Sequence, residues 1–480
     1  MEMIIECSCG KVKGEVTDHV AVFKGLPFAK TKRFCPPELI RQWENGFFDG
    51  TGMETDCFQR HSFEDESKSF YHKEFRSNRQ FRDAESPMTL NIVAQCPIQA
   101  EAGTSSDPED SLNGRSPEDI LPPAEERISP PMKRDLSPLA EKRRPVLIFF
   151  HGGGFETGTV GELPYGTCPE YAKRDILFVS AGYRLNVFGL YGGENFGLQD
   201  QIAAIDWVRE NIASFGGDPE KITIIGQSAG GMCIMDLLCS GKLNGKITHA
   251  IMMSGAGIVP GIAAPVKKEK ARKFWDQVDQ ALEEDPQKAS PEKLWRTWRK
   301  VQKAQKLPWK LRISQPSIDG AVMTESQKRA VQSGHFQNIP IMIGITSQDY
   351  MPIFVYEMAL SLALKLSRLG HAPVYGYLFD RVLPGNSFKA FHASDLWYVF
   401  GSMDQSWRPF EKNDYELSGQ MIDAVASFCR TGTPGDPSWP PVTPHQKGFR
   451  HYDGVSSGLA KPSYCRKKMR ETLLKTPGPM

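Results

Sequence analysis

The sequence predicts an α/β fold, a mostly parallel central sheet flanked by helices, and two stretches carry that prediction. In the first, the apolar run Ile176-Leu-Phe-Val-Ser180 is followed by Ile202, Ile205, Val208, Ile212 and Phe215 at helical spacing, and then by Ile222-Thr-Ile-Ile225. A strand, a helix with one apolar face and a second strand make a crossover, so the two strands run parallel. In the second, Gly226-Gln-Ser-Ala-Gly-Gly231 lies between that last strand and a helix-like segment from Met232 to Leu238. Glycines around Ser228 permit a sharp turn with the hydroxyl at its tip, the strand-to-helix elbow of the α/β-hydrolase fold.

The remaining elements follow in order. Short alternating runs, Lys11 to Val16 and Val20 to Lys24, predict an antiparallel entry to the sheet. The charged and aromatic stretch from Arg60 to Glu85 reads either as a pocket rim or as a solvated loop anchored by a few aromatics. Met88 to Val93 and Arg144 to Phe150 are strands, and from Pro97 to Arg143 the chain is rich in Pro, Ser, Glu and Asp and poor in apolar residues. That composition cannot offset the entropy of ordering, which predicts a mobile insertion over 97–143. Gly216-Gly-Asp-Pro219 breaks the crossover helix, and His249 to Met253, Ile339 to Ile345 and Val374 to Phe379 are further strands. Trp275, Leu282, Leu294, Trp295 and Trp298 sit at helix-like separations, which predicts a helical cap over 262–312 whose aromatics pack rather than bind. Leu417, Met421, Val425 and Phe428 mark a last long helix ending near Gly432. All of this is expected within one catalytic domain spanning residues 1–480.

Composition narrows the function classes. A formal net charge of +1 over 480 residues, without long acidic or basic tracts, offers no electrostatic case for nucleic acid or an anionic membrane surface. A small neutral substrate fits that balance. The acidic, interrupted start Met1 to Gly10 lacks a signal-peptide pattern, and no apolar run approaches the roughly 18 residues of a spanning helix. The ten cysteines are scattered, with Cys7-x-Cys9 lacking a second pair at metal-ligand spacing, so free thiols and a cytoplasmic location are expected.

The chemistry gathers at Ser228. Acyl transfer through a serine needs a base, an acid that orients the base, and donors for the oxyanion, but no metal or organic cofactor. In this architecture the partners follow the nucleophile in the order acid, then histidine. Asp349, just past a buried strand, and His392, in a loop after the penultimate strand, satisfy that order. Asp380 and Asp395 are rival acids, with Asp395 read as bracing its local helix; His371 and His445 are rival bases. After the strand at Phe150 comes His151-Gly-Gly-Gly-Phe155, whose uncovered N–H groups suit a developing negative charge.

With Gly197-Leu-Gln-Asp-Gln201, Phe215-Gly-Gly-Asp-Pro219, Phe23 to Ala29, Ile318-Asp-Gly320 and Trp397 to Gly401 added, the chain resembles the type-B carboxylesterase/lipase family of cholinesterase-like α/β-hydrolases, most of all its bacterial para-nitrobenzyl-esterase-type members. The resemblance implies Ser228 as nucleophile, His392 as base, and Gly153, Gly154 and Ala229 as oxyanion donors. The family usually carries glutamate, in a D-E-G context, where this chain has Gln348-Asp349-Tyr350, so a shorter carboxylate takes that place. Gln227 likewise stands where glutamate is common. Secreted relatives bridge the position of Cys57 to a cysteine before the Leu-Asn strand; here that second position is Pro87, so the bridge cannot form. The expected activity is carboxylic ester hydrolysis through an acyl-enzyme. The same fold also serves silent binding modules, which usually lose the serine or the histidine, and narrower esterases acting on acylated sugars or phenolics.

Overall fold

The computed structural model describes residues 1–77, 79–96, 139, 142–257, 264–305, 315–386, 388–455 and 458–473. A 13-stranded sheet runs through them. We number its main strands β1 (Glu2–Cys7), β2 (Gly10–Thr17), β3 (Val20–Pro27), β4 (Thr89–Gln95), β5 (Arg144–Phe150), β6 (Leu177–Ala181), β7 (Gly217–Gln227), β8 (His249–Met253), β9 (Ile341–Thr346), β10 (Val374–Phe379), β11 (Phe449–Tyr452) and β12 (Leu459–Ala460). The spatial order is β1-β2-β3-β4-β6-β5-β7-β8-β9-β10-β11-β12, with Phe47–Asp49 pairing off this path to β2. Pairing is antiparallel from β1 to β6, parallel from β6 through β11, and antiparallel again at β12.

The alternation of side chains along the central strands separates two apolar layers. Val146, Ile148 and Phe150 of β5 face one layer with Leu177, Val179, Ile222 and Ile224; Leu147, Phe149, Phe178 and Ile225 face the other. The first layer is covered by α1 (Phe196–Asn211), α2 (Ala229–Ser240) and α5 (Pro352–Arg368), and the second by α6 (Lys412–Thr431). Between them in sequence lie α3 (Lys268–Leu282) and α4 (Pro291–Ala304). The α3 and α4 aromatics Trp275, Trp295 and Trp298 are buried packing residues, as their spacing predicts.

Several elements differ from the sequence reading. Strand β1 pairs along its whole length with Gly10 to Glu15 of β2, and its alternation (Ile5 and Cys7 buried, Ile4 and Glu6 exposed) hides behind the acidic residues of its outer face. Helix α1 starts at Phe196 because its first turns bury polar residues, Asp200 and Gln201, that an apolar repeat does not count. Asp200 is buried against Arg184, which donates from Nε at 2.8 Å and Nη2 at 2.7 Å. Helix α5, strand β11 and the helix Pro462–Leu473 were not expected. Most of the insertion expected over 97–143 lies outside the described residues, as do the ends of the cap stretch. Leu139, however, is fully buried against the first apolar layer.

The segment from Arg60 to Glu85 is held by buried ion pairs rather than by aromatics alone. Glu74 accepts from Arg408 Nε at 2.7 Å and from the indole N–H groups of Trp397 and Trp407, while Arg76 donates to Glu162 at 3.0 Å. Both partners of the Arg408–Glu74 pair have no side-chain exposure. Such pairing joins residues over 300 positions apart, and local composition carries no trace of it.

Candidate active site

Strand β7 ends at Gln227 and α2 begins at Ala229, leaving Ser228 alone to make the turn. Its backbone adopts φ 54° and ψ −120°, a conformation that costs on the order of 1–3 kcal/mol and persists only where the surroundings impose it. They do so closely here. Ser228 N–H donates to Met253 of β8 at 2.7 Å, and a methyl group at Gly230 would collide with the Phe150 carbonyl. The half-buried Ser228 therefore stands at the carboxyl ends of β5, β7 and β8, where open α/β sheets place their sites.

The glycine turn after β5 lies directly against this elbow. A Cβ at Gly152 would sit 2.6 Å from Gln227 Oε1 and 3.1 Å from Ser228 Cβ, so the approach requires glycine. Gly153 and Gly154 follow with φ of 108° and 66°, and the Gly153 carbonyl accepts from Glu156 N–H at 3.1 Å and Thr157 N–H at 3.0 Å. Ala229 opens α2, where first-turn N–H groups have no intrahelical partner. His151 is buried and stacks on Tyr183 with ring centroids 4.5 Å apart; burial depresses its pKa to about 4, so the ring is neutral and structural. Glu156, one turn on, accepts from Arg299 at 2.5 Å and Gln302 at 2.6 Å, tying α4 to the glycine turn.

Asp349 and His392 arrive on neighbouring loops. Beyond β9, Gln348 bridges Phe391, and Gln348 N–H donates to Ala390 at 2.9 Å, which sets the next residue of each loop side by side. His392 Nδ1 and Asp349 Oδ1 are 2.7 Å apart. The carboxylate also accepts from Tyr350 N–H at 2.7 Å and from Thr346 Oγ1 at 3.2 Å. Burial alone would raise its pKa; the imidazole's charge and hydrogen bond, with the nearby Ser254 hydroxyl and donation from Tyr350 N–H, outweigh burial and hold it below the usual carboxylate value. Asp349 is thus a buried anion whose negative charge faces one histidine.

The rival acids and His371 are engaged elsewhere, and His445 is exposed. Asp380 accepts from Ser347 Oγ at 2.6 Å and pairs with Lys468 at 2.9 Å and His451 at 3.4 Å. Asp395 accepts from Tyr377 O–H at 2.9 Å instead of capping its helix, correcting the bracing role expected of it. Its burial pushes its pKa up to about 7. His371 packs on Phe336, and its Nε2 is 2.8 Å from the Gln337 carbonyl.

Two neighbours of His392 escaped sequence reasoning. The Tyr350 ring lies on the imidazole face at a centroid separation of 4.5 Å, and Gln227 Nε2 is 3.3 Å from His392 Nε2. Both occupy positions where the family pattern is broken, and that departure is the one signal the sequence held. Among the described residues no hydrogen bond joins the Ser228 hydroxyl to His392; Nε2 of the imidazole faces Gln227.

Comparison with known proteins matches most of the chain. The family model described as "Carboxylesterase family" matches residues 1–365 and 354–463. A para-nitrobenzyl esterase of Bacillus subtilis (strain 168) is 27% identical, covering 91% of this chain and 92% of that protein. A juvenile hormone esterase of Heliothis virescens is 32% identical over 69% of this chain and 74% of its own. Among solved structures, a thermophilic PNB esterase superposes with a TM-score of 0.76 at 24% identity, covering 97% of this chain and 99% of that one. The elbow, the glycine turn beside it and this full-length kinship agree: the chain belongs to the carboxylesterase family, has the α/β-hydrolase fold and is a carboxylic ester hydrolase.

Proposed function

We infer that the protein hydrolyses small neutral carboxylic esters through an acyl-enzyme formed on Ser228, with His392 as general base and Asp349 as the acid that orients it. The observation that carries this reading is the 2.7 Å contact of His392 Nδ1 with a carboxylate kept ionised. A carboxylate only accepts hydrogen bonds, so the proton of the neutral ring stays on Nδ1 and Nε2 keeps the lone pair a base needs. Ser228 attacks the ester carbonyl while Nε2 takes its proton, and the imidazolium then protonates the leaving alcohol. Water, activated by the same nitrogen, releases the acid. The backbone N–H groups of Gly153, Gly154 and Ala229 receive the oxyanion of each tetrahedral intermediate, a role supported by the packing of Gly152 on the elbow.

Helices α3 and α4 act in this reading as a cap within one catalytic domain, with Arg299 and Gln302 coupling the cap to the glycine turn through Glu156. All ten cysteines are free thiols, which agrees with a reducing, cytoplasmic setting. Among the described residues no helix is long and apolar enough to cross a membrane. The test is hydrolysis of para-nitrophenyl esters of graded acyl length. Ser228→Ala is expected to abolish turnover and labelling by a fluorophosphonate probe; turnover near the wild-type level would sink the assignment.

A further inference from the structure

The nitrogen of His392 that must accept the Ser228 proton already has a partner. Gln227 Nε2 lies 3.3 Å from His392 Nε2. Because Nδ1 carries the ring proton toward Asp349, Nε2 of the neutral imidazole is an acceptor, and an amide nitrogen is a donor. The Gln227 side chain is buried, and its Oε1 packs beside Gly152, where an added Cβ would approach to 2.6 Å. That packing leaves the amide nitrogen as the end turned to the imidazole. The ring itself is pinned on one edge by Asp349 and covered on one face by Tyr350.

We propose that Gln227 is a positioning residue that parks the imidazole between turnovers, donating to the Nε2 lone pair until an ester and the Ser228 hydroxyl displace it. The proposal rests on the Ser228–His392–Asp349 reading. Parking is a property of the amide: a glutamate carboxylate at this position only accepts and cannot hold a neutral Nε2 this way. Acylation therefore begins with loss of one neutral hydrogen bond, Gln227 to His392, in exchange for Ser228 to His392. The chain spends part of its reactivity on a base that is kept in place.

The experiment measures attack by the serine directly, as the second-order rate of fluorophosphonate labelling of the full chain. In that step the Ser228 Oγ–P bond forms, the P–F bond breaks, fluoride leaves and His392 takes the serine proton. Wild type, Gln227→Glu, Gln227→Met and His392→Ala are compared, with kcat and KM for para-nitrophenyl acetate alongside. Both Gln227 variants are expected to label about two- to tenfold faster, the return of one neutral hydrogen bond, with KM little changed. A side chain that merely packs the elbow gives slower labelling in both. Equal or slower labelling in a folded Gln227→Glu variant overturns the proposal. Should neither variant fold, the wild-type chain decides it: the ¹⁵N shift of His392 Nε2, assigned against His392→Ala, is expected at the value of a hydrogen-bonded acceptor, and the shift of a free acceptor nitrogen overturns it. Wild-type labelling in His392→Ala overturns the triad reading itself; loss of labelling there, with no gain in the Gln227 variants, overturns parking alone.

Discussion

Asp349 and His392 lie 43 residues apart in the chain and 2.7 Å apart in space, each one residue past the Gln348–Phe391 bridge. That bridge gives a short carboxylate its reach. An aspartate side chain is one methylene shorter than the glutamate usual in the family, and here the two loops run side by side, so the carboxylate meets Nδ1 without the extra length.

Replacing Asp349 by Asn leaves the shape and removes the charge that fixes the tautomer. Turnover is expected to fall by about 10⁴. Asp380→Asn, whose partners are Ser347, His451 and Lys468, is expected to leave kcat close to wild type. Steady-state kinetics on para-nitrophenyl acetate check the ranking, and the reverse order would move the acid to Asp380.

Gly152→Ala tests the approach of the glycine turn to the elbow. A Cβ there meets the Gln227 backbone carbonyl at 2.9 Å and Ser228 Cβ at 3.1 Å, so the turn must shift away from the serine. A displacement near 1 Å at the reacting centre costs about 10² in kcat/KM. Circular dichroism should show the variant folded; unimpaired kinetics would mean that the turn does not need this contact.

Asp395 sets a pH dependence of stability. Burial lifts its pKa from 3.8 to about 7 in the folded chain, so between those values the folded state holds a proton that the unfolded state has lost. The folded state binding more protons means that this group's contribution to stability falls as pH rises from about 4 to about 7, by up to roughly 1.4 kcal/mol per pKa unit. Asp395→Asn cannot ionise. Urea unfolding at pH 5 and pH 8 should show a smaller loss across that interval in the variant, and identical losses in both proteins would refute the effect.

Breaking the Arg408–Glu74 pair leaves a carboxylate with no exposure and no countercharge. Arg408→Leu is expected to cost about 3–5 kcal/mol. Arg41→Leu, which removes a pair whose side chains are 70% and 37% exposed, should cost less than about 1 kcal/mol. Denaturant midpoints of the two variants decide it, and similar midpoints would mean that burial does not set the cost of either pair.

Much of the fold was legible because local rules and the final structure agree. The runs Arg144 to Phe150, His249 to Met253 and Val374 to Phe379 became strands with those bounds, each short and largely apolar. The last long helix ends at Thr431, with Gly432 in the left-handed conformation at its C-terminus. What escaped were β1, whose acidic outer face masks its alternation, and elements whose burial depends on more distant partners: the first turns of α1, which need Arg184 for Asp200, and the Arg60 to Glu85 segment, held by Arg408 and Glu162.

By itself the sequence determined the parallel sheet, the serine at its elbow and the glycine turn, because each is written in the spacing of adjacent residues. Tertiary structure alone decided which acid meets which histidine and what else touches that histidine. Asp349, Asp380 and Asp395 are equivalent as residue types, and only the register of two loops brings the first to Nδ1, sends the second to Lys468 and leaves the third to Tyr377. The Gln227 and Tyr350 contacts have the same origin: side chains from the end of β7 and from the loop after β9 converge on one imidazole, and the local sequence does not show which residues meet there.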